Sequence, residues 1–127
     1  MNKPPLVLIV DDSVALLDVY SDIISSAGFK VMVAETGLLA LDLAKRARPD
    51  LILLDIMMPC MDGDAVEANL KSDPATADIP VLFMSSVLTE HEQREKFAAA
   101  GRNVSFMAKA LAPHDLINSV RGRLGIK

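Results

Sequence analysis

The sequence has little that would support a disulfide scaffold, a zinc site or a membrane span. Cys60 is the only cysteine, which excludes an intramolecular disulfide and a thiolate cluster. His91 and His114 lie too far apart in the chain to form a local metal-binding pair. The longest purely apolar run, Leu6 to Val10, is far shorter than the ~20 residues that cross a bilayer, and the aspartates after it exclude a signal peptide. We therefore expect a reduced, cytoplasmic protein that does not enter the membrane.

The chain also lacks any long run of like charge and any excess of glycine or proline. It has 13 Lys and Arg against 17 Asp and Glu, and a net charge of −4, so direct nucleic-acid binding is disfavoured. With 6 Gly, 7 Pro and 51% hydrophobic residues it is neither collagen-like nor disordered. Its 127 residues predict a single domain over 1–127, with residues 1–5 loosely held.

What the chain does contain is a regular alternation of short apolar runs and segments of helical periodicity. The first and third runs are apolar at every position, which is typical of strands buried on both faces of a parallel sheet. Alternation of this kind predicts a doubly wound α/β fold with five parallel strands in the flavodoxin-like order 2-1-3-4-5, a (βα)5 arrangement. The predicted strands are Leu6–Val10, Val31–Ala34, Leu51–Leu54, Val81–Met84 and Val104–Met107, and the helices are Val14–Ala27, Leu38–Arg48, Asp64–Ser72, Glu90–Ala100 and Pro113–Leu124.

Local signals mark where these helices begin and end and which side of each is buried. Ser13 is a predicted N-cap, Gly28 a C-terminal stop, and Pro113 suits the first turn of the last helix. The predicted buried stripes are Leu17, Tyr20, Ile24 and Ala27 in the first helix, Leu38, Leu41 and Ala44 in the second, Val66, Asn69 and Leu70 in the third, and Leu116, Ile117, Val120 and Leu124 in the last.

Candidate site residues follow four of the five predicted strands. Asp11 and Asp12 come after the first strand and Asp55 after the third, while Ser85 follows the fourth and Lys109 the fifth. Each alone would be read as a turn, a cap or a solvated side chain. The carboxyl ends of parallel strands share one edge, where open α/β sheets bind ligands, so together they predict one site. Clustered carboxylates suit Mg²⁺, and the lysine and hydroxyl suit a phosphoryl group, with Asp55 as its nucleophile.

The motifs around these residues resemble those of the receiver domain of two-component response regulators, the CheY-like superfamily. The Asp-x-x-Met-Pro-x-Met-Asp-Gly stretch is highly specific, and the resemblance extends over essentially the whole chain. The matching segments are Val10-Asp11-Asp12-Ser13, Leu54-Asp55-Ile56-Met57-Met58-Pro59-Cys60-Met61-Asp62-Gly63, Pro80-Val81-Leu82-Phe83-Met84-Ser85-Ser86 and Phe106-Met107-Ala108-Lys109.

The resemblance implies a phosphorylation site centred on Asp55. It implies that Asp55, Asp12 and the main-chain carbonyl of Met57 bind Mg²⁺ directly and that Asp11 binds it through water. Lys109 resembles the lysine that pairs with the phosphate. These are the residues from which self-phosphorylation chemistry is expected.

The resemblance also implies contacts to phosphate oxygens and a conformational switch. The main-chain amides of Met57 and Ser86 would face the phosphate oxygens. Ser85 occupies the switch hydroxyl position and Phe106 the aromatic switch position. Phe106 has an equally open interpretation as a strand residue that packs on a helix.

The sequence departs from the family pattern near its last helix. Ala110 follows Lys109 where the family has proline, and we expect a trans bond there because a cis bond before other residues costs about 2.5–4 kcal/mol. Ala112 replaces the usual aspartate, which removes an N-cap. Ser86 stands where a small apolar residue is common. None of these changes removes a member of the phosphorylation chemistry.

The expected function is that of a phosphoryl-accepting switch, not an enzyme with a separate substrate. A histidine kinase or histidine phosphotransfer domain would phosphorylate Asp55, and the changed surface would bind a downstream output protein or domain. One alternative is a phosphorylation-independent interaction module on the same fold. An aspartate-nucleophile phosphatase would need Asp-x-Asp after the first strand, and a nucleotide-binding enzyme would need a glycine-rich phosphate loop, which is missing here.

Overall fold

The computed structural model describes residues 3–56, 58, 61–85, 105–108 and 112–125. Five strands and four helices occur within these ranges. The strands are β1 (Leu6–Val10), β2 (Lys30–Ala34), β3 (Leu51–Asp55), β4 (Val81–Ser85) and β5 (Ser105–Ala108). The helices are α1 (Val14–Ser26), α2 (Gly37–Ala47), α3 (Gly63–Ser72) and α4 (Pro113–Leu124). The predicted helix Glu90–Ala100 lies outside the described residues, as does the Lys109–Ala110 bond.

The strands form one parallel sheet in the order β2-β1-β3-β4-β5. The register aligns Val10 with Leu54 between β1 and β3, and Asp55 with Met84 between β3 and β4. All carboxyl ends therefore lie at the same edge of the sheet. The prediction of a parallel α/β architecture is confirmed.

The central strands are buried on both faces, as their continuous apolar sequences predict. Leu8 and Val10 of β1 join a core beneath α2 and α3, and Val7 and Ile9 join a second core beneath α1 and α4. All four side chains have 0% exposure. Burial of this kind stabilises the folded state by about 1.5–3 kcal/mol per large aliphatic side chain. Strands β1 and β3 therefore form the centre of the fold.

Helix ends follow the predicted capping signals in α1. The Ser13 hydroxyl accepts the N–H of Leu16 at 3.3 Å, and Gly28 adopts φ 98° after the last turn. A positive φ of this size is favourable for glycine because it has no Cβ. In α2 the Thr36 hydroxyl accepts the N–H of Leu39 at 3.1 Å, a cap that was not among the predicted ones.

The predicted buried stripe of α2 is wrong in part. Ala40 and Ala44 pack in the core and Gly37 is buried beside Val66 of α3, whereas Leu38 is 70% exposed and Leu41 is only half-buried. Small residues let α2 lie close to the sheet, so that the leucines are displaced to its sides. The helix contains four leucines. Their spacing fits more than one buried face, so apolar periodicity alone does not identify which face packs on the sheet.

The other helices follow their predicted stripes more closely. In α3 Val66 and Leu70 are buried as predicted, but Asn69 is exposed and Glu67 is buried in its place. In α4 Leu116 and Val120 are buried. The remaining predicted positions are half-buried, namely Ala27, Ile117 and Leu124. Among the described residues, no helix combines the length and apolarity that a membrane crossing requires.

Candidate functional site

Three carboxylates meet at the carboxyl edge of the sheet. Asp11 follows β1 directly, Asp55 is the last residue of β3, and the β1–β3 register brings them side by side. Asp12 completes the group, and one carboxylate oxygen from each residue lies within 4.8 Å of the others. The structure thus brings together the three predicted aspartates.

Burial differs sharply among the three carboxylates. Asp11 has 0% exposure and Asp55 only 2%, whereas Asp12 is exposed. The cluster is therefore anchored in the interior and open to solvent on the side of Asp12. A ligand can reach it from that side without displacing the core.

Local hydrogen bonds orient Asp11. Its main-chain N–H donates to the carbonyl of Ala34 on β2 at 3.1 Å, which extends the strand pairing by one residue. One carboxylate oxygen accepts the N–H of Ser13 at 3.0 Å. Because Ser13 also caps α1, the side chain of Asp11 is fixed at the junction of strand and helix.

The backbone around Asp55 is held from two sides. The N–H of Ile56 donates to the carbonyl of Met84 at 3.1 Å, so pairing with β4 continues past the aspartate. The carbonyl of Ile56 accepts the N–H of Gly63 at 3.2 Å, which ties β3 to the start of α3. The central position of β3 and these bonds fix the backbone that carries the Asp55 carboxylate.

The donor set fits a hard divalent cation. Carboxylate oxygens are the ligands that Mg²⁺ and Ca²⁺ prefer, and soft donors are not among the three clustered residues. Three like charges this close repel one another, and a cation between them would relieve the repulsion. The arrangement can therefore bind a metal ion and present the carboxylate of Asp55 beside it.

The remaining predicted site residues are described in part or not at all. Ser85 ends β4, one position beyond the residue paired with Asp55, which places its backbone at the same edge. Phe106 lies in β5 opposite Phe83. Lys109, Met57 and Ser86 lie outside the described residues.

The described residues also form a groove at the far end of α3. Its volume is about 240 Å³, and it lies between α2 and the segment after α3. Lys45 and Asp73 face each other there at 3.0 Å. The N–H of Ala75, and next the ammonium of Lys45, hold the pKa of Asp73 below its usual value. This groove lies at the opposite end of α3 from the three carboxylates, and it explains none of the predicted chemistry.

Comparison with known proteins agrees with this geometry. A family described as response regulator receiver domain matches residues 7–121. The chain belongs to the response regulator receiver family. It is therefore a component of two-component signalling, as the resemblance implied. Receiver domains generally bind Mg²⁺ at an acidic pocket of this kind.

Two curated relatives show how such a receiver domain occurs in proteins of different length. The chain is 31% identical over 122 residues to the polar-differentiation response regulator DivK of Brucella anthropi, covering 96% of this chain and 98% of DivK. It is 33% identical over 120 residues to RpaA of Synechocystis, described as a DNA-binding dual master transcriptional regulator, covering 94% of this chain. There the receiver domain spans 49% of the relative.

Solved structures share the architecture. A response regulator from Chloroflexus aurantiacus superposes with a TM-score of 0.85 at 27% identity, covering 97% of this chain and 99% of that one. The chemotaxis protein CheY4 of Vibrio cholerae superposes with a TM-score of 0.83 at 26% identity, covering 94% and 98%.

Proposed function

We propose that this receiver domain accepts a phosphoryl group on Asp55 from a phosphohistidine of a histidine kinase or histidine phosphotransfer domain, in a reaction that requires Mg²⁺. The convergence of Asp11, Asp12 and Asp55 at the end of the central strand is the observation that carries the proposal. A buried, rigid carboxylate beside two others is suited to hold a cation and a phosphoryl group together.

The transfer forms one bond and breaks one. A carboxylate oxygen of Asp55 attacks phosphorus, the bond between phosphorus and the histidine nitrogen breaks, and the electron pair leaves with the imidazole. The burial of Asp55 excludes water from most of its surroundings, and Asp12 lies on the open side of the site. When held directly by Asp12, Asp55 and the carbonyl of Met57, and through water by Asp11, Mg²⁺ would neutralise charge on the transferring group.

The remaining roles are those that the resemblance to the receiver family implies. Lys109 pairs with the phosphate, and the amides of Met57 and Ser86 donate hydrogen bonds to its oxygens. Ser85 and Phe106 form the switch that changes the surface for a downstream output protein or domain. Phosphorylation then shifts an equilibrium between two conformers.

Residues 1–127 would form one receiver domain with a complete (βα)5 arrangement. The match to DivK over 96% of this chain supports one receiver domain over these residues. The only chemistry proposed for the domain is its own phosphorylation and dephosphorylation.

The test is phosphorylation by a small acyl phosphate, followed by intact mass spectrometry. With Mg²⁺ the wild-type protein should gain one phosphoryl group, and Asp55→Asn should gain none. Asp18→Asn, an exposed aspartate on α1, is the matched control and should react like wild type. A phosphorylated Asp55→Asn protein would overturn the assignment. An unreactive wild-type protein that still folds would favour the phosphorylation-independent interaction module.

A further inference from the structure

Helix α3 begins directly against the peptide that carries Asp55. The Gly63 N–H donates to the Ile56 carbonyl, and a Cβ at Gly63 would collide with the Asp55 carbonyl oxygen and lie 2.7 Å from the Ile56 Cα. Cβ atoms do not approach backbone this closely. Asp62 caps the helix by accepting the N–H of Ala65 at 2.9 Å, so the start of α3 is itself fixed.

A second close approach joins α2 to the same region. A Cβ at Gly37, the first residue of α2, would lie 2.7 Å from a methyl group of Val66 and 3.0 Å from the Met61 sulfur. Met61 comes two residues before Gly63 and packs partly buried against the core. The start of α2 therefore supports the start of α3, which in turn contacts the Asp55 backbone.

We propose that Gly63 is a positioning residue for Asp55, and that Gly37 supports it through Met61 and Val66. This inference rests on the proposed phosphoryl transfer, because it concerns how the accepting carboxylate is placed. A side chain at position 63 would push against the backbone of Asp55 and Ile56 at the end of β3, which pairing with β4 holds in place. Either α3 or Asp55 must then shift relative to Asp11 and Asp12.

The two glycines should differ in the size of their effect. At Gly63 the atoms in the way are backbone atoms of Asp55 and Ile56, whereas at Gly37 they are side-chain atoms. Side chains can move by a few tenths of an ångström at modest cost, whereas the backbone of Asp55 and Ile56 is held by its pairing with β4. Gly63→Ala should therefore displace the carboxylate more than Gly37→Ala.

Beryllofluoride, a phosphoryl mimic, reports this placement when it binds with Mg²⁺. Because a misplacement of ~1 Å can cost about 100-fold, we expect Gly63→Ala to weaken beryllofluoride binding by roughly that factor and Gly37→Ala by roughly tenfold. The bound-state fluorine resonances should also move in Gly63→Ala. Binding is measured by titration at a temperature where thermal unfolding curves show each variant to be folded.

Gly122 provides the matched control. It lies inside α4, and a Cβ there would meet nothing within 4 Å. Gly122→Ala should leave binding and the fluorine resonances unchanged. Val66→Ala removes the methyl group that Gly37→Ala would strike, so the double variant should recover most of the lost affinity. A purely structural role predicts lower melting temperatures without these changes in affinity.

The outcomes separate this inference from the proposed function. If wild type binds beryllofluoride and both glycine variants bind within twofold of it, the positioning role is wrong. If wild type does not bind, the phosphoryl-transfer proposal fails. Amide hydrogen exchange at Ile56 and Gly63 then tests whether residue 63 holds the Asp55 backbone in place. Unchanged exchange at Ile56 in Gly63→Ala would then overturn the positioning role, and faster exchange would support it.

Discussion

The carboxylate of Asp11 accepts the main-chain N–H of Ser13 at 3.0 Å, which joins the acidic cluster to the start of α1. The Ser13 hydroxyl in turn accepts the N–H of Leu16. Asp11 and the cap of α1 thus depend on different atoms of Ser13. The hydroxyl of Ser13 caps the helix, and its main-chain N–H donates to the Asp11 carboxylate.

Ser13→Ala should therefore lower stability without weakening metal binding. Loss of the cap should cost about 1 kcal/mol of unfolding free energy, because the Leu16 N–H loses its acceptor at the helix start. The Ser13 N–H remains and still orients Asp11, so Mg²⁺ affinity should stay within about twofold, a difference of roughly 0.4 kcal/mol. Urea unfolding and Mg²⁺ titration measure the two quantities separately. A large loss of Mg²⁺ affinity would show that the hydroxyl itself takes part in the site.

Mg²⁺ should stabilise the folded protein through the acidic cluster. At a Mg²⁺ concentration ten times its dissociation constant the gain is about 1.4 kcal/mol, which raises the melting temperature by roughly 5 °C. Asp12→Ala should reduce this shift, because it removes one of the three clustered carboxylates. The measurement is a thermal unfolding curve with and without Mg²⁺.

Asp18→Ala serves as the control for this Mg²⁺ effect. Asp18 is exposed on α1 and lies outside the cluster, so its variant should show the wild-type shift. Equal shifts in Asp12→Ala and Asp18→Ala would argue against a metal site at the cluster.

Strands and the acidic cluster were predictable because both depend on local sequence and parallel-sheet geometry. β1 has the predicted bounds, and the other described strands differ from prediction by a residue at one or both ends. Asp55 and Ser85 extend β3 and β4, since their backbones continue the pairing although their side chains are polar. Polarity marks where a strand meets the site, but backbone pairing decides where it ends.

The close glycine contacts were not predictable in the same way. Asp62-Gly63 indicates a turn that leads into a helix, and the structure has α3 starting there. The contact between Gly63 and the Asp55 backbone depends on how α3 packs on the sheet, which no local pattern encodes. The same is true of Gly37, whose neighbours come from α3.

The Asp73 carboxylate should make stability depend on acid pH. Its pKa is lowered, first by the N–H of Ala75, which it accepts at 2.9 Å, and then by Lys45. The ionised form therefore stabilises the fold above the unfolded pKa of about 3.9, and this contribution is lost as pH falls through the lower folded value. Asp73→Asn should remove that part of the acid dependence, measured as urea midpoints from about pH 5 down to about pH 2.

Lys45→Gln separates the two causes of the Asp73 shift. It removes the ion pair and leaves the bond from the Ala75 N–H. Because the bond from the Ala75 N–H remains and is the first of the causes that lower the pKa, Lys45→Gln should leave part of the acid dependence that Asp73→Asn removes. An equal effect of both variants would mean that the lysine dominates.

Helix α4 starts without a side-chain cap and should be open to stabilisation. Ala112 occupies the N-cap position with extended backbone, φ −62° and ψ 153°, and makes no capping hydrogen bond. The sequence predicted this loss from the alanine in place of aspartate. Ala112→Ser should supply the missing acceptor and raise the unfolding free energy by about 0.5–2 kcal/mol, measured by urea unfolding. Ala112→Asp should add a favourable interaction with the helix dipole.

Thr36→Ala calibrates the size of the capping effect in this fold. Thr36 caps α2 through its hydroxyl, so its loss should lower stability by about the amount that Ala112→Ser gains. Both caps lie at helix starts that follow strands, and both act on N–H groups that the helix cannot satisfy itself. If Thr36→Ala is destabilising while Ala112→Ser leaves the urea midpoint unchanged, the first-turn N–H groups of α4 do not lack an acceptor. In that case the alanine at position 112 carries no cost in stability.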